Sequence, residues 1–389
     1  MRLIHTSDWH LGRSFHRVGL LEAQAGYLDH LVEVVRAEGV DAVLVSGDVY
    51  DRALPSPDTV ELLSEAVTRL VDAGAAVVLS SGNHDSAIRL GFASDLLARA
   101  GLHIRTSLDS VGVPVMVKDT AIYPLPYLEP SVAADWIGAQ ERTHSAVLRA
   151  AMTLVRTDAQ PRAGATVVMA HAFVTGGASS QSERDISVGG VSAVHPAVFA
   201  HADYVALGHL HGPQRISETV RYSGSPIALS FSEADHHKGS VLVDVCAGAL
   251  HTEAIPAPVT RSLAILRGDL QDLLGDPGLR GAESAYCQVT LTDIVRPMGA
   301  MELLRRRFPD TLVLAFEPAC AQVVAPATAA SRRQRGDLDL CCDFLTHVRG
   351  GNAASGQERN LLATAVECSR VVRGSREDEG RATAPRSAA

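Results

Sequence analysis

In the first two hundred residues, two patterns of hydrophobic and polar positions alternate along the chain. Short β-prone apolar runs, such as 75–79, end abruptly in polar turns, as buried strands do. Between these runs, segments 20–37 and 57–73 carry apolar residues at helical spacing. This strand–helix alternation predicts an α/β layered fold. Further helices are expected at 88–100 and 139–157.

The pattern changes after the first two hundred residues. Short strands broken by Gly and Pro are expected near 220–222, 239–243 and 251–255, and they suggest an antiparallel second sheet. Farther along, short strands and one helix near 299–307 predict a small α+β domain. The predicted division is a main domain at 1–257, a small domain at 258–325, a linker at 326–336, a helical pair at 337–373 and a disordered tail at 374–389.

Polar residues that follow the apolar strands carry the candidate chemistry. In α/β sheets, ligands bind at the carboxyl ends of the strands. Each candidate either has a side chain of a type that binds metal or lies beside such a residue. In chain order the candidates are Asp8, His10, Asp48, Asp51, Asn83, His84, His171, His209 and His211. Carboxylate, amide and imidazole groups arriving in this order after separate strands predict a metal site.

The ligand types limit which metal fits. The set contains no thiolate, which disfavours a structural zinc site. Mixed nitrogen and oxygen ligands suit Mn²⁺, Fe²⁺ or Zn²⁺. Seven ligands (Asp8, His10, Asp48, Asn83, His171, His209 and His211) are too many for one tetrahedral ion, but they suit two ions that share a carboxylate.

Composition restricts the class of protein. The chain has 389 residues, 46% hydrophobic and 20% charged, which indicates a globular protein with more than one core. No apolar run approaches the ~20 residues of a membrane span, and the chain starts with a strand and not a signal peptide, so we expect a cytoplasmic protein without membrane contact. A net charge of −9 argues against a free-standing, strongly basic nucleic-acid binder.

The motifs at 4–12, 46–51, 81–86, 208–211 and 222–226 resemble those of the calcineurin-like metallophosphoesterases, most closely the SbcD family of DNA-repair nucleases. The resemblance implies a layered two-sheet sandwich with a small α+β capping domain and a C-terminal helical pair. It also implies Mn²⁺-dependent activity, as a 3′→5′ exonuclease on duplex DNA and an endonuclease on single strands or hairpins.

The resemblance further implies a role for each site residue. One ion would be held by Asp8, His10 and His211, the other by Asn83, His171 and His209, and Asp48 would bridge them. His84 would protonate the leaving oxygen or stabilise charge on the reacting phosphate, and Asp51 would orient His84. Two arginines are candidates on other grounds: Arg13 follows the first ligand loop and could contact a DNA backbone, whereas Arg52 is a departure from the SbcD pattern that resembles related phosphatases and could clamp phosphate. Solvated surface arginines are the alternative for both.

Partners are also implied by the resemblance. The apolar stripes of the helical pair would bind the coiled-coil base of an SbcC-type ATPase, with a homodimer of this chain inside a heterotetramer; docking onto its own domain is the alternative. Two other functions stay open, namely a small-molecule or cyclic-nucleotide phosphodiesterase and a non-catalytic scaffold. The sequence does not decide the metal used in the cell, the cleavage polarity or the ATP coupling.

Overall fold

The computed structural model describes residues 1–184, 186, 193–246, 248–317, 336–349 and 351–382, with side chains as far as 369. The chain divides into two compact units, Met1–Ser262 and Leu263–Ala389. This division falls a few residues beyond the predicted start of the capping domain at 258. Nearly all of the predicted linker at 326–336 and the last residues of the predicted tail lie outside the described residues.

Two six-stranded sheets form the first unit. Its strands are β1 (Arg2–Thr6), β2 (Ser14–Phe15), β3 (Val18–Gly19), β4 (Ala42–Ser46), β5 (Ala76–Ser80), β6 (Leu102–Arg105), β7 (Val115–Val117), β8 (Thr120–Pro124), β9 (Thr166–His171), β10 (Tyr204–Gly208), β11 (Gln214–Arg215), β12 (Val220–Tyr222), β13 (Gly239–Cys246) and β14 (Ala249–Pro256). The first sheet has the order β14-β13-β1-β4-β5-β6, and the second has the order β11-β12-β10-β9-β8-β7.

The late strands do not form the separate antiparallel sheet that the sequence suggested. β13 and β14 extend the first sheet, because β13 pairs antiparallel with β1 and places Leu242 opposite Ile4. β12 instead pairs parallel with β10 in the second sheet, and β11 pairs antiparallel with β12. The error has a physical reason: short apolar runs show that strands exist but not which strands they pair with.

One apolar cluster of the first unit lies between its two sheets, and another joins the second sheet to buried residues of segments 130–137 and 144–159. Leu3, Leu44 and Val78 of the first sheet are fully buried in one cluster with Val167 and Tyr204 of the second. Their strands are continuous apolar runs, as expected where both faces of a sheet are covered. β1, β4 and β5 are mutually parallel, as are β9 and β10, so their carboxyl ends lie together within each sheet. The predicted layered α/β fold is confirmed.

Helices cover the sheets of the first unit. They are α1 (Leu21–Glu38), α2 (Pro57–Asp72), α3 (Ala87–Leu90), α4 (Ser94–Leu97), α5 (Pro130–Ile137) and α6 (His144–Ala159). α1 and α2 match their predicted spans closely. The predicted helix at 88–100 is instead broken into α3, α4 and a 3-10 turn, because the chain turns at Gly91 and Ala93 takes a left-handed φ of 57°.

Two further differences concern α5 and α6. The sequence analysis did not predict α5. α6 begins later than the predicted position 139, because the Thr143 side chain caps it by accepting a hydrogen bond from the Ala146 backbone N–H.

The second unit begins with a small α+β fold, as predicted. Its parallel strands are β15 (Leu263–Gly268), β16 (Tyr286–Leu291) and β17 (Thr311–Phe316), and its helices are α7 (Leu270–Gly275) and α8 (Ala300–Arg307). Val289, Leu304 and Phe308 are fully buried at the centre of its core. This part of the chain therefore has a hydrophobic core of its own.

A pair of helices, Asp337–Val348 and Gly356–Ala382, ends the described chain. Ser355 and Glu358 form a capping box at the start of the second helix, with the Ser355 N–H 2.8 Å from the Glu358 carboxylate and the Glu358 N–H 3.3 Å from Ser355 Oγ. This helix includes 374–382, which the sequence analysis had predicted to be disordered; the segment is polar, but Arg and Glu are good helix formers. No helix in the described part combines the length and apolarity that a membrane span needs.

Candidate metal centre

The seven predicted metal ligands and His84 meet where strands of the two sheets end. Three groups of buried donor atoms each lie within 4.8 Å of one another: Asp8, His10 and His211; His10, Asp48 and His84; and Asp8, Asp48 and His171. The first sheet supplies Asp8, His10 and Asp48 after β1 and β4, and the second supplies His171 and His211 at and after β9 and β10. Residues more than two hundred positions apart therefore share one site.

Asp48 lies at the middle of this cluster. Its Oδ2 atom is 3.4 Å from His10 Nε2, 3.5 Å from His171 Nε2 and 3.9 Å from His84 Nε2. Its Oδ1 atom accepts a hydrogen bond of 2.9 Å from the His84 backbone N–H. One carboxylate oxygen thus stands between imidazoles that belong to different predicted ion sites, as a bridging ligand must.

The remaining donors flank Asp48 on two sides. His10 Nε2 lies 3.1 Å from His211 Nε2, and the two oxygens of the Asp8 carboxylate accept hydrogen bonds of 3.0 and 3.1 Å from the backbone N–H of His209. On the other side, His171 Nε2 lies 2.9 Å from Asn83 Oδ1. The His171 and His209 rings pack edge to face with centroids 5.3 Å apart. The predicted ligand side chains therefore lie on two sides of Asp48.

Electrostatics in this cluster fit divalent cations. Burial and the nearby charge of Asp48 raise the pKa of Asp8 well above its usual value. Burial lowers the pKa of His10 to about 4, and it also lowers the pKa of His171 and of His209. These imidazoles are consequently neutral near pH 7, which is the form that binds metal. Buried carboxylates facing neutral imidazoles lack a balancing positive charge that a cation would supply.

The bridging residue Asp48 is held in its charged form. Burial opposes ionisation of Asp48, but the positive charge that His171, His10 and His84 carry when protonated and the hydrogen bond from the His84 backbone N–H favour it, and together they lower the pKa of Asp48. The bridging position therefore holds a charged carboxylate. The residues present fit a centre of two divalent cations with nitrogen and oxygen ligands.

The backbone is strained at several of these ligands. Asp8, His10, Asp48 and His209 have positive φ angles of 52°, 44°, 50° and 103°. Such angles cost non-glycine residues about 1–3 kcal/mol each and concentrate at functional sites. Gly82 lets the turns after β4 and β5 approach, because a Cβ there would lie 2.1 Å from Asp48 Oδ1. The strained backbone thus lowers stability locally while it orients the ligand side chains.

His84 is oriented by Asp51, although not by its carboxylate. His84 Nδ1 lies 2.8 Å from the Asp51 backbone carbonyl, so the ring N–H donates to it and Nε2 faces the cluster. The Asp51 carboxylate instead lies 3.5 Å from His10 Nδ1 and accepts a hydrogen bond of 3.1 Å from Arg13. Asp51 therefore contacts one predicted ligand and the predicted proton donor.

The two predicted phosphate-binding arginines differ in how firmly they are held. Arg13 donates to Asp51 and, at 3.3 Å, to the Ser182 carbonyl, and only a fifth of its side chain is exposed. Arg52 is 79% exposed and lies 3.7 Å from the Asp51 carboxylate. Arg13 is therefore fixed at the rim of the cluster, whereas the Arg52 side chain extends into solvent.

Asp85 is a site residue that the sequence analysis did not single out. Its carboxylate accepts hydrogen bonds from the backbone N–H groups of Val49 (3.1 Å), Tyr50 (2.9 Å) and Gly82 (2.9 Å). Burial and the charge of Asp48 raise its pKa to about 7. Asp85 thus joins the turn that carries Asp48 to the turn that carries Asn83. Its place beside Asn83 and His84 was the available signal.

A second missed group surrounds His211. Ser182, Glu183, Glu233 and Lys238 all make hydrogen bonds to this ligand or to one another. Ser182, Glu183 and Lys238 lie 27 to 29 residues from His211 along the chain. Glu233 contacts His211 through Ser182 and Lys238, and no sequence motif marked any of the four. Only the folded chain reveals this group.

Comparison with known proteins gives a family and a number of distant structural matches, among them the following two. TT1561 of Thermus thermophilus is 13% identical with a TM-score of 0.38, covering 65% of this chain and 98% of that one. GAP50, the anchor in the inner membrane complex of Plasmodium, is 10% identical with a TM-score of 0.36, covering 82% of this chain and 98% of that one. Likeness this weak carries no argument about function.

The family match is more informative. A family model described as calcineurin-like phosphoesterase matches residues 1–213, which is more than half of the chain and includes every residue of the metal cluster. The chain therefore belongs to the calcineurin-like phosphoesterase family.

Proposed function

We propose that this protein is a two-metal DNA nuclease of the SbcD type that uses Mn²⁺. The observation that carries the proposal is the position of Asp48 Oδ2 between His10 and His171, with His84 beside it. Proteins with two such metal ions hydrolyse phosphate esters. When bound, the two cations would neutralise charge on the phosphate and lower the pKa of the attacking water.

The chain's own residues supply the remaining chemistry. His84 has Nδ1 engaged by the Asp51 carbonyl, which leaves Nε2 facing the cluster, where a protonated ring can donate to the leaving oxygen. Arg13, fixed by Asp51 and the Ser182 carbonyl, places a guanidinium at the rim, where it can meet a backbone phosphate. These roles follow from positions at the site and do not depend on the size of the substrate.

The second unit supports a polymeric substrate and a partner. A small ester needs neither an added α+β fold nor a helical pair. In the first helix of the pair no side chain is buried, and Phe344 is 64% exposed; Leu361 of the second helix is 67% exposed. Exposed apolar residues on adjacent helices indicate a protein-binding surface. We assign it to an SbcC-type ATPase, which would also supply basic surface for DNA.

The proposed activities are 3′→5′ exonuclease on duplex DNA and endonuclease on single strands or hairpins, in a heterotetramer that contains two copies of this chain. The competing function is a small-molecule or cyclic-nucleotide phosphodiesterase, which the same metal cluster would serve. A non-catalytic scaffold is less well supported, because Asp8, His10, Asp48, His171, His209 and His211 of the predicted ligand set are all buried and Asn83 lies against His171.

One assay separates these functions. Purified full-length protein is incubated with Mn²⁺ and end-labelled duplex DNA, hairpin DNA or bis-p-nitrophenyl phosphate, with and without an SbcC-type ATPase and ATP. We expect cleavage of DNA that EDTA abolishes and that the ATPase increases. Hydrolysis of the small ester without any DNA cleavage, even with the ATPase, would favour the competitor. No hydrolysis of any substrate would favour the scaffold.

A further inference from the structure

His211 is held by side chains from two segments outside the strands. Its backbone N–H donates to Glu183 at 2.8 Å, and its carbonyl accepts from Lys238 Nζ at 2.7 Å. Its ring nitrogen Nδ1 lies 2.5 Å from Ser182 Oγ. The peptide and the ring of this predicted ligand are therefore both fixed from outside β10.

The contact with Ser182 continues to a buried carboxylate. Ser182 Oγ also hydrogen bonds to Glu233 Oε1, and Ser180 Oγ donates to the same oxygen at 3.0 Å. An ionised carboxylate only accepts hydrogen bonds, so the Ser182 hydroxyl proton goes to Glu233. The hydroxyl oxygen can then accept from His211 Nδ1–H. The hydrogen bonds therefore run in one direction, from the His211 imidazole through the Ser182 hydroxyl to the Glu233 carboxylate.

This direction fixes the tautomer of His211. With the proton on Nδ1, the lone pair is on Nε2, the atom that lies 3.1 Å from His10 Nε2 inside the cluster. The N–H of a metal-binding histidine is commonly held by a carboxylate or carbonyl, which sets ring orientation and basicity. Here the carboxylate acts through a serine hydroxyl.

His171, on the other side of the cluster, is oriented differently. Its Nδ1 lies 3.0 Å from the Ser46 backbone carbonyl at the end of β4. The acceptor for His171 therefore belongs to the sheet, whereas the acceptor for His211 is a side chain on the loop after β9. Substitution of Ser182 can therefore remove the contact with His211 and leave the contact of His171 with the Ser46 carbonyl intact.

Glu233 is built to remain charged inside the protein. It is 1% exposed, and its Oε2 atom pairs with Lys238 Nζ at 2.5 Å and accepts the Leu229 N–H at 3.1 Å. Lys238 Nζ donates as well to Ser225 Oγ at 2.9 Å. A buried carboxylate with this many partners is satisfied, so its remaining oxygen is free to serve Ser182 and Ser180.

We propose that Glu233 is a positioning residue that, through Ser182, fixes the His211 tautomer and so sets the affinity of the ion site formed by Asp8, His10 and His211. The site formed by Asn83, His171 and His209 does not depend on this contact. The inference rests on the metal centre of the proposed function, but it is independent of the DNA substrate and of the ATPase.

Calorimetric titration of the metal-free, full-length protein with Mn²⁺ tests this inference. Wild type is expected to bind two ions. Ser182→Ala and Glu233→Gln should each lower the affinity for one Mn²⁺ ion by about 10- to 100-fold and leave the affinity for the other unchanged. Ser182→Thr retains the hydroxyl and should restore wild-type affinity. Glu218→Gln, at an exposed glutamate that pairs with Arg215, is the matched control.

The variants were chosen so that a folding defect does not obscure the result. Ser182→Ala removes one loop hydroxyl and leaves the Glu233–Lys238 pair intact, so it stays informative if Glu233→Gln fails to fold. Wild-type affinity for both ions in Ser182→Ala would overturn the inference, as would equal weakening of both ions or failure of Ser182→Thr to restore binding. If wild type itself bound no Mn²⁺, the proposed metal-dependent function would fail together with this inference.

Discussion

The metal centre and the C-terminal helical pair depart from ordinary protein architecture in opposite ways. In the metal centre, ionisable side chains such as Asp8 and His10 are completely buried. In the helical pair, large apolar side chains such as Phe344 and Leu361 are mostly exposed. Soluble proteins normally place these classes of residue the other way round.

The two regions differ further in how their residues are fixed. Around the metal centre, hydrogen bonds accepted by the Asp85 and Glu183 carboxylates and one donated by Lys238 hold the ligand-bearing turns in place. In the helical pair, two partly exposed ion pairs, Arg349–Glu358 and Arg359–Asp339, join the two helices, and a capping box starts the second one. A prearranged site suits a small ion, whereas a lightly held helical surface suits a large partner. Buried polar groups and exposed apolar groups each indicate something that binds there.

The strongest test of the first region is Asp48→Asn. Loss of the bridging charge should reduce Mn²⁺-dependent hydrolysis of bis-p-nitrophenyl phosphate by at least ~10³-fold, since metal stabilisation of phosphate charge contributes several kcal/mol. Asp58→Asn, at an exposed position in α2, is the control and should keep wild-type activity. Activity of Asp48→Asn within tenfold of wild type would remove Asp48 from the centre of the site.

His84→Gln separates chemistry from metal binding. We expect kcat to fall ~10²-fold, as for loss of a proton donor, while Mn²⁺ binding is retained, because His84 approaches Asp48 more distantly than His10 or His171 does. The control is His237→Gln, at an exposed histidine. Loss of a bound ion in His84→Gln would make His84 a ligand and not the proton donor.

Asp85→Asn tests whether the turns are held together as described. The amide would place an NH₂ group against a backbone N–H, at a cost of about 1–3 kcal/mol for the unpaired donor. We therefore expect a lower melting temperature than that of Asp95→Asn, which changes an exposed aspartate. Equal melting temperatures would show that Asp85 does not join the two turns.

Phe344→Asp tests the second region. It should weaken binding of an SbcC-type ATPase by about tenfold or more, since apolar anchors at interfaces often contribute more than 1 kcal/mol. Hydrolysis of bis-p-nitrophenyl phosphate by the isolated protein should be unchanged. Glu367→Gln, an exposed polar position on the second helix, is the control. Unaltered ATPase binding by Phe344→Asp would move the interface elsewhere.

The smallest expected effect concerns acid stability of the helical pair. Hydrogen bonds from Arg349 and Ser355 lower the pKa of Glu358 to about 2. A lowered folded-state pKa contributes stability above the unfolded value near 4.5, and this contribution is lost as pH falls toward 2. Hydrogen exchange in the pair should thus be faster in Glu358→Gln than in wild type at pH 6, with the difference shrinking below pH 4. A difference independent of pH would contradict the ion-pair explanation.

The sequence revealed those features of the site that local pattern encodes. Asp48 and Asn83 follow apolar strands directly, so strand ends and ligand types were enough to place them in one site. Glu233 and Ser182 could not be found in this way, because their contacts with His211 depend on how distant loops fold. The positive φ angles at Asp8 and His209 are equally invisible in a sequence, since Asp and His adopt ordinary angles in most turns.

The fold shows the same division. Apolar runs predicted β13 and β14 but not their place beside β1, because pairing depends on the whole sheet. Helical spacing predicted α1 and α2 closely, but it did not foresee that Gly91 and the left-handed Ala93 interrupt the next helix. Periodicity therefore identified elements, and tertiary contacts decided their ends and partners.

Anomalous diffraction at the manganese absorption edge, from crystals of the full-length protein grown with Mn²⁺, tests the central claim most directly. We predict two peaks about 3.5–4 Å apart, with the Asp48 carboxylate between them. Asp8, His10 and His211 should surround one peak, and Asn83, His171 and His209 the other. A single peak, or two peaks that Asp48 does not touch, would contradict the account.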